Sequence, residues 1–184
     1  MKKIVFAALA VVFLSGAAFA AGEINVKFGV DVAGNLSAKA NGDNSSKDMN
    51  TGINLQGEYL AVLSDIVKVG AGLQYLFPRN LDGVSGAYGL SFLPIYATVE
   101  VNPIEAAKEV FFKANLGYGL VFPESGGDSE SGLYWAIGAG YNFPFGLIVD
   151  LSYGWHYFSV SDFGNSIDYT YSKLGINVGY KFKI

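Results

Sequence analysis

His156 is the only histidine of the chain and the residue best suited by type to acid–base chemistry. A histidine that is hydrogen-bonded to a serine and oriented by a carboxylate can activate that serine for nucleophilic attack. The alternating segment that contains His156 directs its ring to the polar face of a strand, whereas Ser159 falls in the polar connector that follows. Phe158, an apolar residue, occupies the next position on the same face of the strand. We therefore expect His156 to be a hydrogen-bonded residue of the fold's interior rather than a catalytic base.

Two Gly-Ala-Gly sequences, at 70–72 and 138–140, have the composition of a phosphate-binding loop. Such a loop needs a strand before it and a helix after it, whose N-terminal amides hold the phosphate. Neither sequence has that context, because each lies inside a segment with a two-residue rhythm. We expect these glycines instead to make room for bulky side chains such as those of Tyr96 and Tyr134.

Eight segments of the chain alternate between apolar residues and polar or small ones. The last of them, 173–184, has an apolar or aromatic residue at every even position; the others are 24–32, 53–63, 67–77, 93–101, 112–122, 133–143 and 147–157. Successive side chains of a strand point to opposite faces, so each segment has one apolar and one polar face. The apolar faces carry no charge in their central part, and each segment has about the ten residues with which a tilted strand crosses a bilayer. The sequence predicts an all-β fold, an eight-stranded antiparallel up-and-down transmembrane β-barrel.

The connectors between these segments alternate in length. Three are short or of medium length, at 64–66, 102–109 and 144–146, and four are longer and polar, at 36–48, 78–86, 123–132 and 159–166. Bacterial barrels of this kind have short turns in the periplasm and long loops outside the cell. We expect one helical turn within 102–109.

Aromatic residues of the apolar faces cluster near the two ends of the segments. Those toward the long loops are Tyr75, Phe77, Phe122, Trp135, Trp155 and Tyr157, and those toward the short turns are Tyr59, Phe112, Tyr141, Phe143, Tyr180 and Phe182. Two such girdles are typical of the two interfaces of a membrane.

The N-terminus has the layout of a secretory signal peptide. Lys2 and Lys3 precede an apolar run at 4–14, and the small residues Ala18, Ala20 and Ala21 surround a cleavage position. A membrane-anchoring helix is the weaker interpretation, because about 20 apolar residues are needed to span. We expect residues 1–20 to be removed after Ala20, so that the mature protein is the barrel domain 21–184.

Charge and composition limit the partners. Without Lys2 and Lys3 the chain has 10 basic and 16 acidic residues, which argues against a nucleic-acid partner. The chain has no cysteine and one histidine, so only carboxylates remain as metal ligands, and these favour hard cations. The acidic residues of the long loops are Asp43, Asp48, Asp82, Glu124, Asp128, Glu130, Asp162 and Asp168. We expect them to form a solvated surface; bridging to lipopolysaccharide through calcium or magnesium is the alternative. No cofactor is expected.

Seven charged residues fall on the polar faces, in the half of the barrel nearer the short turns. They are Lys27, Glu58, Lys68, Glu100, Lys113, Asp150 and Lys181. A charge inside a narrow barrel costs several kcal/mol unless it is paired or hydrated. We expect these residues to form a salt-bridged plug that blocks ion flow, in which Glu100 pairs with Lys113. Asp31 and Lys173 should form a second pair, nearer the long loops, where the first and last strands meet.

This pattern resembles the small eight-stranded outer-membrane barrels of the OmpA/OmpX type. The last residues, Asn177, Gly179, Phe182 and Ile184, resemble the C-terminal signal that the outer-membrane assembly machinery reads, with Ile184 where the family most often has Phe. The resemblance implies a location in the bacterial outer membrane, among its lipids and lipopolysaccharide, and it leaves the oligomeric state open.

The resemblance also implies the candidate functions. The first is a non-enzymatic structural or surface-contact role of the adhesin type. The alternative is a narrow passive channel for ions or small solutes, which the many inward glycines favour. It ranks second because an eight-stranded barrel is usually only wide enough to be filled by side chains. A lipid A-modifying enzyme is a weaker alternative, since the expected His and Ser arrangement is missing at His156.

Overall fold

A computed structural model describes residues 21–40, 43–82, 89–123, 130–162 and 165–184. The strands in these ranges are β1 (Gly22–Ala40), β2 (Asp43–Met49), β3 (Gly52–Val62), β4 (Val67–Arg79), β5 (Leu90–Val101), β6 (Val110–Pro123), β7 (Glu130–Asn142), β8 (Leu147–Asp162) and β9 (Asn165–Lys183). Of the predicted signal peptide and its cleavage site, only Ala21 lies within the described residues. None of the helical structure described is long and apolar enough to cross a membrane.

The strands form one closed antiparallel sheet. From β3 to β9 each strand pairs with the next, and β1 pairs with β9 to close the barrel. On its other side, β1 pairs with β3 along 22–31 and with β2 along 34–40. Strands β2 and β3 therefore occupy a single position in the barrel wall, and the predicted eight-stranded antiparallel barrel is confirmed.

The alternation of side chains gives the barrel a lipid-facing surface and a polar interior. Outward Phe28 and Leu116 are 51% and 61% exposed, whereas inward Lys27 and Lys113 are 2% and 5% exposed. A bulge between Asp31 and Ala33 shifts the register of β1 against β9. Above this bulge the inward face of β1 moves from odd to even positions, because one extra residue reverses the alternation.

The connectors at the end of the barrel where residues 22 and 184 meet match the predicted short turns. A 3-10 helix at Glu105–Ala107 forms the expected helical turn within 102–109. In the β7–β8 turn the Gly146 amide donates to the carbonyl oxygen of Phe143 at 3.0 Å, and Gly146 has a φ of 92°, which a glycine adopts without strain. We call this the turn end of the barrel and the opposite end the loop end.

Two of the predicted long loops are wrong in extent. Much of 36–48 forms the upper part of β1 together with β2, and much of 159–166 forms the ends of β8 and β9. These residues are polar and lack the apolar alternation of the membrane-crossing segments, so the sequence favours loops. Their backbones are nevertheless paired, from Gly34↔Met49 to Ala40↔Asp43 in the first hairpin. The sheet continues beyond the part of the barrel that needs an apolar face.

Candidate functional site

Among the described residues, the charged side chains of the barrel interior form three groups, and the first lies at the turn end. Lys68 Nζ lies 2.9 Å from Glu23 Oε2 and 2.8 Å from Glu100 Oε1. Lys181 Nζ lies 3.1 Å from the same oxygen of Glu23. Two cations and two carboxylates balance one another in this group. Glu23 was missed by the sequence analysis because it precedes the first alternating segment, although its odd number places it on the inward face.

The central group contains two further lysines and two further carboxylates. Lys27 Nζ lies 2.6 Å from Glu58 Oε2 and 2.9 Å from Asp150 Oδ2. Lys113 Nζ lies 3.1 Å from the same oxygen of Asp150. All four side chains are buried, and Asn177 Nδ2 donates to Asp150 Oδ1 at 2.7 Å. Lys113 Nζ also lies 4.0 Å from Glu58 Oε1, so both carboxylates contact both lysines and the group is balanced.

The outer group lies nearer the loop end. Asp31 accepts hydrogen bonds from Arg79 Nη2 at 2.9 Å, from Lys173 Nζ at 3.1 Å and from Asn54 Nδ2 at 3.2 Å. The pair of Asp31 and Lys173 agrees with the sequence-based expectation. Arg79 was assigned to the predicted connector 78–86; β4 instead extends to Arg79, whose side chain turns into the barrel.

All seven charges assigned to the interior from the sequence lie in these first two groups, but one pairing is corrected. Glu100 and Lys113 are register partners on β5 and β6. Glu100 nevertheless pairs with Lys68, and Lys113 pairs with Asp150. Lys68 is also a register partner of Glu100, on the other neighbouring strand β4, whereas the long side chain of Lys113 reaches past β7 to Asp150 on β8.

Inward glycines make room for large side chains at the middle of the barrel. A Cβ added at Gly72 would lie 2.8 Å from the Tyr96 ring, and one at Gly138 would lie 3.1 Å from Lys113 Cε. Tyr96 donates its hydroxyl to Glu58 Oε1 at 3.1 Å, accepts from Gln56 Nε2, and packs against Tyr134 with ring centroids 5.4 Å apart. The lumen at this level is filled by side chains, as the sequence analysis expected of these glycines.

His156 lies inside the barrel but is not hydrogen-bonded, which corrects the expectation from the sequence. Its ring is 2% exposed and lies 5.0 Å from the ring of Phe92, 4.7 Å from that of Tyr134 and 5.5 Å from that of Tyr171. Neither of its nitrogens has a hydrogen-bond partner among the described residues. Above it, buried apolar side chains close the loop end: Met49, Leu76, Phe92, Val121, Phe158 and Tyr171.

The residues of the C-terminal motif have distinct places in the fold. Asn177 points inward to Asp150, and Gly179 lies against the side chain of Lys27. Phe182 and Ile184 point outward and are 49% and 66% exposed. Their exposure leaves the assembly signal a prediction, because lipid contact alone would also favour apolar residues here.

The assembly signal can be separated from lipid contact by a matched pair of variants. Phe182→Ala with Ile184→Ala should leave most of the protein unassembled in the periplasm, because the motif loses both apolar positions. Phe112→Ala with Ile104→Ala changes outward residues of similar exposure, 48% and 43%, outside the motif and should assemble normally. The measurement is the folded fraction in isolated outer membranes, set against unassisted refolding in vesicles. Equal assembly of the two variants in cells would contradict a signal in this motif.

At the loop end, four strand segments rise together as one sheet, formed by 34–40, 43–49, 157–162 and 165–172; we call it the outer sheet. Its backbone pairing continues up to Lys39↔Asp168 and Asp162↔Asn165. Asn35 Nδ2 donates to Ser46 Oγ at 2.8 Å and to Asp48 Oδ1 at 3.1 Å on the outward face. The outer sheet is thus a paired structure with a hydrogen-bonded polar face.

The loop carboxylates do not come together as a metal site in the part of the chain that the structure describes. No group of three potential metal-ligating side chains is close enough there to hold an ion. Glu124, Asp128 and the side chain of Asp162 lie outside the described residues.

Comparisons with known proteins agree with this architecture. The family model described as the outer membrane protein beta-barrel domain matches residues 6–182. No curated protein matches the sequence. The fold is similar to that of the attachment invasion locus protein Ail of Yersinia pestis, with 18% identity over 88% of this chain and 99% of Ail, and a TM-score of 0.53. Neisserial surface protein A has 13% identity over 84% and 96% of the two chains and a TM-score of 0.50.

A third solved structure, the outer membrane protein AlkL in lipid bilayers, has 11% identity over 91% of this chain and 93% of AlkL, with a TM-score of 0.50. At these identities the likeness concerns the fold alone. The family model, in contrast, covers nearly the whole sequence. The chain therefore belongs to the outer membrane protein beta-barrel domain family and is a protein of the bacterial outer membrane.

Proposed function

We propose that this protein is a non-enzymatic surface-contact protein, which acts through the outer sheet while its barrel serves as a closed anchor. The observation that carries the proposal is the length of the two strands that close the barrel. Strands β1 and β9 each have 19 residues, whereas about ten cross a bilayer. The remainder forms a paired sheet beyond the membrane, and a rigid surface loses less conformational entropy on binding than a flexible loop.

The outward face of the outer sheet fits a carbohydrate partner. It presents hydroxyl, amide and carboxylate groups on neighbouring strands: Asn35, Ser37, Ser46, Asp48, Ser159, Asp168, Thr170 and Ser172. Trp155 and Tyr157 follow on the same face toward the membrane. Hydrogen-bonding groups beside aromatic rings match the hydroxyl groups and apolar faces of sugars. The saccharides of lipopolysaccharide surround an outer-membrane protein at this height.

The charge of the outer sheet favours a neutral or cation-bridged saccharide over a free polyanion. Asp43, Asp48 and Asp168 outnumber Lys39 and Lys47 in its exposed part. Ail has been crystallised in complex with the heparin analogue sucrose octasulfate. The acidic balance of this chain does not favour the same ligand class here.

Trimming the first hairpin tests this function. Leu36 and Lys47 are register partners, so residues 37–46 can be replaced by an Asn-Gly turn. The trimmed protein in nanodiscs should bind purified lipopolysaccharide about tenfold more weakly than the full chain, which corresponds to about 1.4 kcal/mol.

Point variants on the two faces of the hairpin provide the control. Asn35→Ala with Asp48→Ala removes outward groups and should weaken binding. Ser45→Ala with Lys47→Ala changes the opposite face of β2 and should not. Equal affinity of the full and trimmed proteins, at a level above that of empty nanodiscs, would assign saccharide contact to another surface.

An enzymatic role is disfavoured by the positions of the only candidate residues. His156 and Ser159 are three positions apart on β8, so their side chains leave opposite faces of the barrel wall. Ser159 Oγ donates to Asp168 Oδ1 at 2.6 Å on the outside, whereas His156 is enclosed by aromatic rings inside. A catalytic base must lie within hydrogen-bond reach of the proton it removes, and this pair does not meet that requirement.

The channel alternative predicts a measurable current, and we expect none. The lumen is filled by the two balanced charge groups, by Tyr96 and Tyr134, and by the apolar cluster above His156. Reconstitution in a planar bilayer should therefore give no steady single-channel openings. Phe92→Ala, which removes a fully buried ring from the loop end, serves as a comparison that should raise the frequency of brief openings. Steady openings of the unmodified protein would favour the pore.

A further inference from the structure

The outer charge group is the only one of the three described groups that is not balanced. Asp31 is its single carboxylate, and it faces both Arg79 and Lys173 at ion-pair distance. The side chains of all three are at most 2% exposed. Among the described residues this group therefore keeps one uncompensated positive charge inside the barrel. Burying an unpaired charge is strongly unfavourable, so a compensating negative charge is expected nearby.

The donors of the same group are incompletely used. Arg79 Nη2 donates a hydrogen bond to Asp31. Among the described residues, Arg79 Nε and Nη1 and the hydroxyl of Tyr171 have no hydrogen-bond partner. The guanidinium lies over the Tyr171 ring, with Cζ 5.0 Å from the ring centroid. A buried donor left without a partner is unfavourable, and more so when it is charged. Burial, charge and unused donors thus coincide at one place.

A glycine lies where these donors converge. A methyl group placed on Gly34 would lie 3.3 Å from the hydroxyl of Tyr171 and 3.5 Å from Arg79 Nη1. Gly52 differs, because Arg79 packs directly against it: a Cβ there would lie 2.9 Å from Arg79 Cδ and 3.1 Å from Nε. The absence of a side chain at Gly34 leaves the position beside Arg79 Nη1 and the Tyr171 hydroxyl without a Cβ.

We propose that this outer group binds one small monovalent anion, of the size of chloride, held by Arg79 and Tyr171 beside Gly34. One negative charge restores the balance, and an anion accepts the hydrogen bonds that the carboxylate of Asp31 does not. Met49, Leu76 and Phe92 pack with Tyr171 in one buried apolar cluster, and this apolar packing favours a small anion over a large organic acid. This inference does not rest on the function proposed for the outer sheet.

Chloride itself is the first probe. The refolded protein should have a higher melting temperature in sodium chloride than in sodium gluconate of equal ionic strength, and the difference should grow with concentration, because a ligand of the folded state stabilises it by mass action. Lys173→Gln leaves the balanced pair of Asp31 and Arg79, so it should abolish the difference. Arg79→Gln should abolish it as well, because it removes the donors. Lys181→Gln alters a lysine at the turn end and should retain the chloride effect.

Bromide locates the anion directly. Crystals of the unmodified protein grown in sodium bromide should show one anomalous peak within hydrogen-bond distance of Arg79 and Tyr171, and crystals of Lys173→Gln should lack it. The absence of this peak in the unmodified protein overturns the proposal by itself, whether or not the variants fold. Equal melting temperatures in chloride and gluconate would also overturn it, since water or a carboxylate of the chain would then satisfy the group. A chloride effect that persists in both Lys173→Gln and Arg79→Gln would place the anion elsewhere.

Discussion

Replacing Leu116 by Arg should destabilise the folded protein by about 2–4 kcal/mol in a bilayer. Leu116 lies at the middle of β6, points outward and is 61% exposed, more than most apolar side chains of a soluble protein. That exposure is explained if hydrocarbon covers the residue. An arginine there would have to bring its charge into the lipid or deform the bilayer around itself. The measurement is an equilibrium urea titration of refolding in lipid vesicles.

A substitution of the same kind in the outer sheet is the matched control. Ser45 is an exposed residue of β2, beyond the apolar part of the barrel. Ser45→Arg should change the free energy of unfolding by less than about 0.5 kcal/mol, as surface substitutions usually do. If Leu116→Arg and Ser45→Arg behave alike, the lipid-facing surface has been assigned incorrectly.

The barrel was predictable because a lipid bilayer requires apolar outward residues on each strand, in alternation with inward ones. Lys27 and Phe28 are neighbours in sequence, yet one lies in the lumen and the other faces lipid. In lipid the apolar face must stay free of charge in every strand, and this chain keeps to that through eight successive segments. The number of strands and their antiparallel order follow from counting those segments and the turns between them.

Outside the hydrocarbon this alternation is not required, and there the prediction of long loops at 36–48 and 159–166 was wrong in extent. Ser37 and Ser46 are paired across the first hairpin, on an outward face that lies beyond the hydrocarbon and needs no apolar side chains. A polar paired strand and a polar loop then have nearly the same composition. The side-chain hydrogen bonds of Asn35 with Ser46 and Asp48 become visible only once the register is known.

Ion partners were harder to predict than inward orientation, because a lysine can reach several carboxylates across a narrow lumen. The alternation correctly predicts that Lys113 points inward, but it does not choose among the inward carboxylates of Glu58, Glu100 and Asp150. The strand register alone favours an ion pair of Lys113 with Glu100, whereas in the structure Lys113 pairs with Asp150. The outer group was underestimated for a different reason: Arg79 was assigned to the connector 78–86 and was therefore not counted among the inward charges.

Asp150→Asn should be more damaging than any single lysine substitution in the interior, with a loss of about 3–5 kcal/mol. One oxygen of Asp150 lies within 3.1 Å of both Lys27 and Lys113, and the residue is 1% exposed. Asparagine preserves the shape of the side chain and can keep a hydrogen bond with Asn177. The variant therefore removes the charge without opening a cavity, and two buried lysines are left with Glu58 alone.

A double-mutant cycle identifies which carboxylate Lys113 depends on. Combining Asp150→Asn with Lys113→Met should give a coupling of about 0.5–3 kcal/mol, since the second change relieves a charge that the first leaves unpaired. Glu100→Gln combined with Lys113→Met should be closer to additive, because Glu100 is bound to Lys68 on the other side. The opposite order of couplings would mean that neighbouring strands hold their charges pairwise by register. Lys113 would then belong to a pair with Glu100 rather than to the network of Lys27, Glu58 and Asp150.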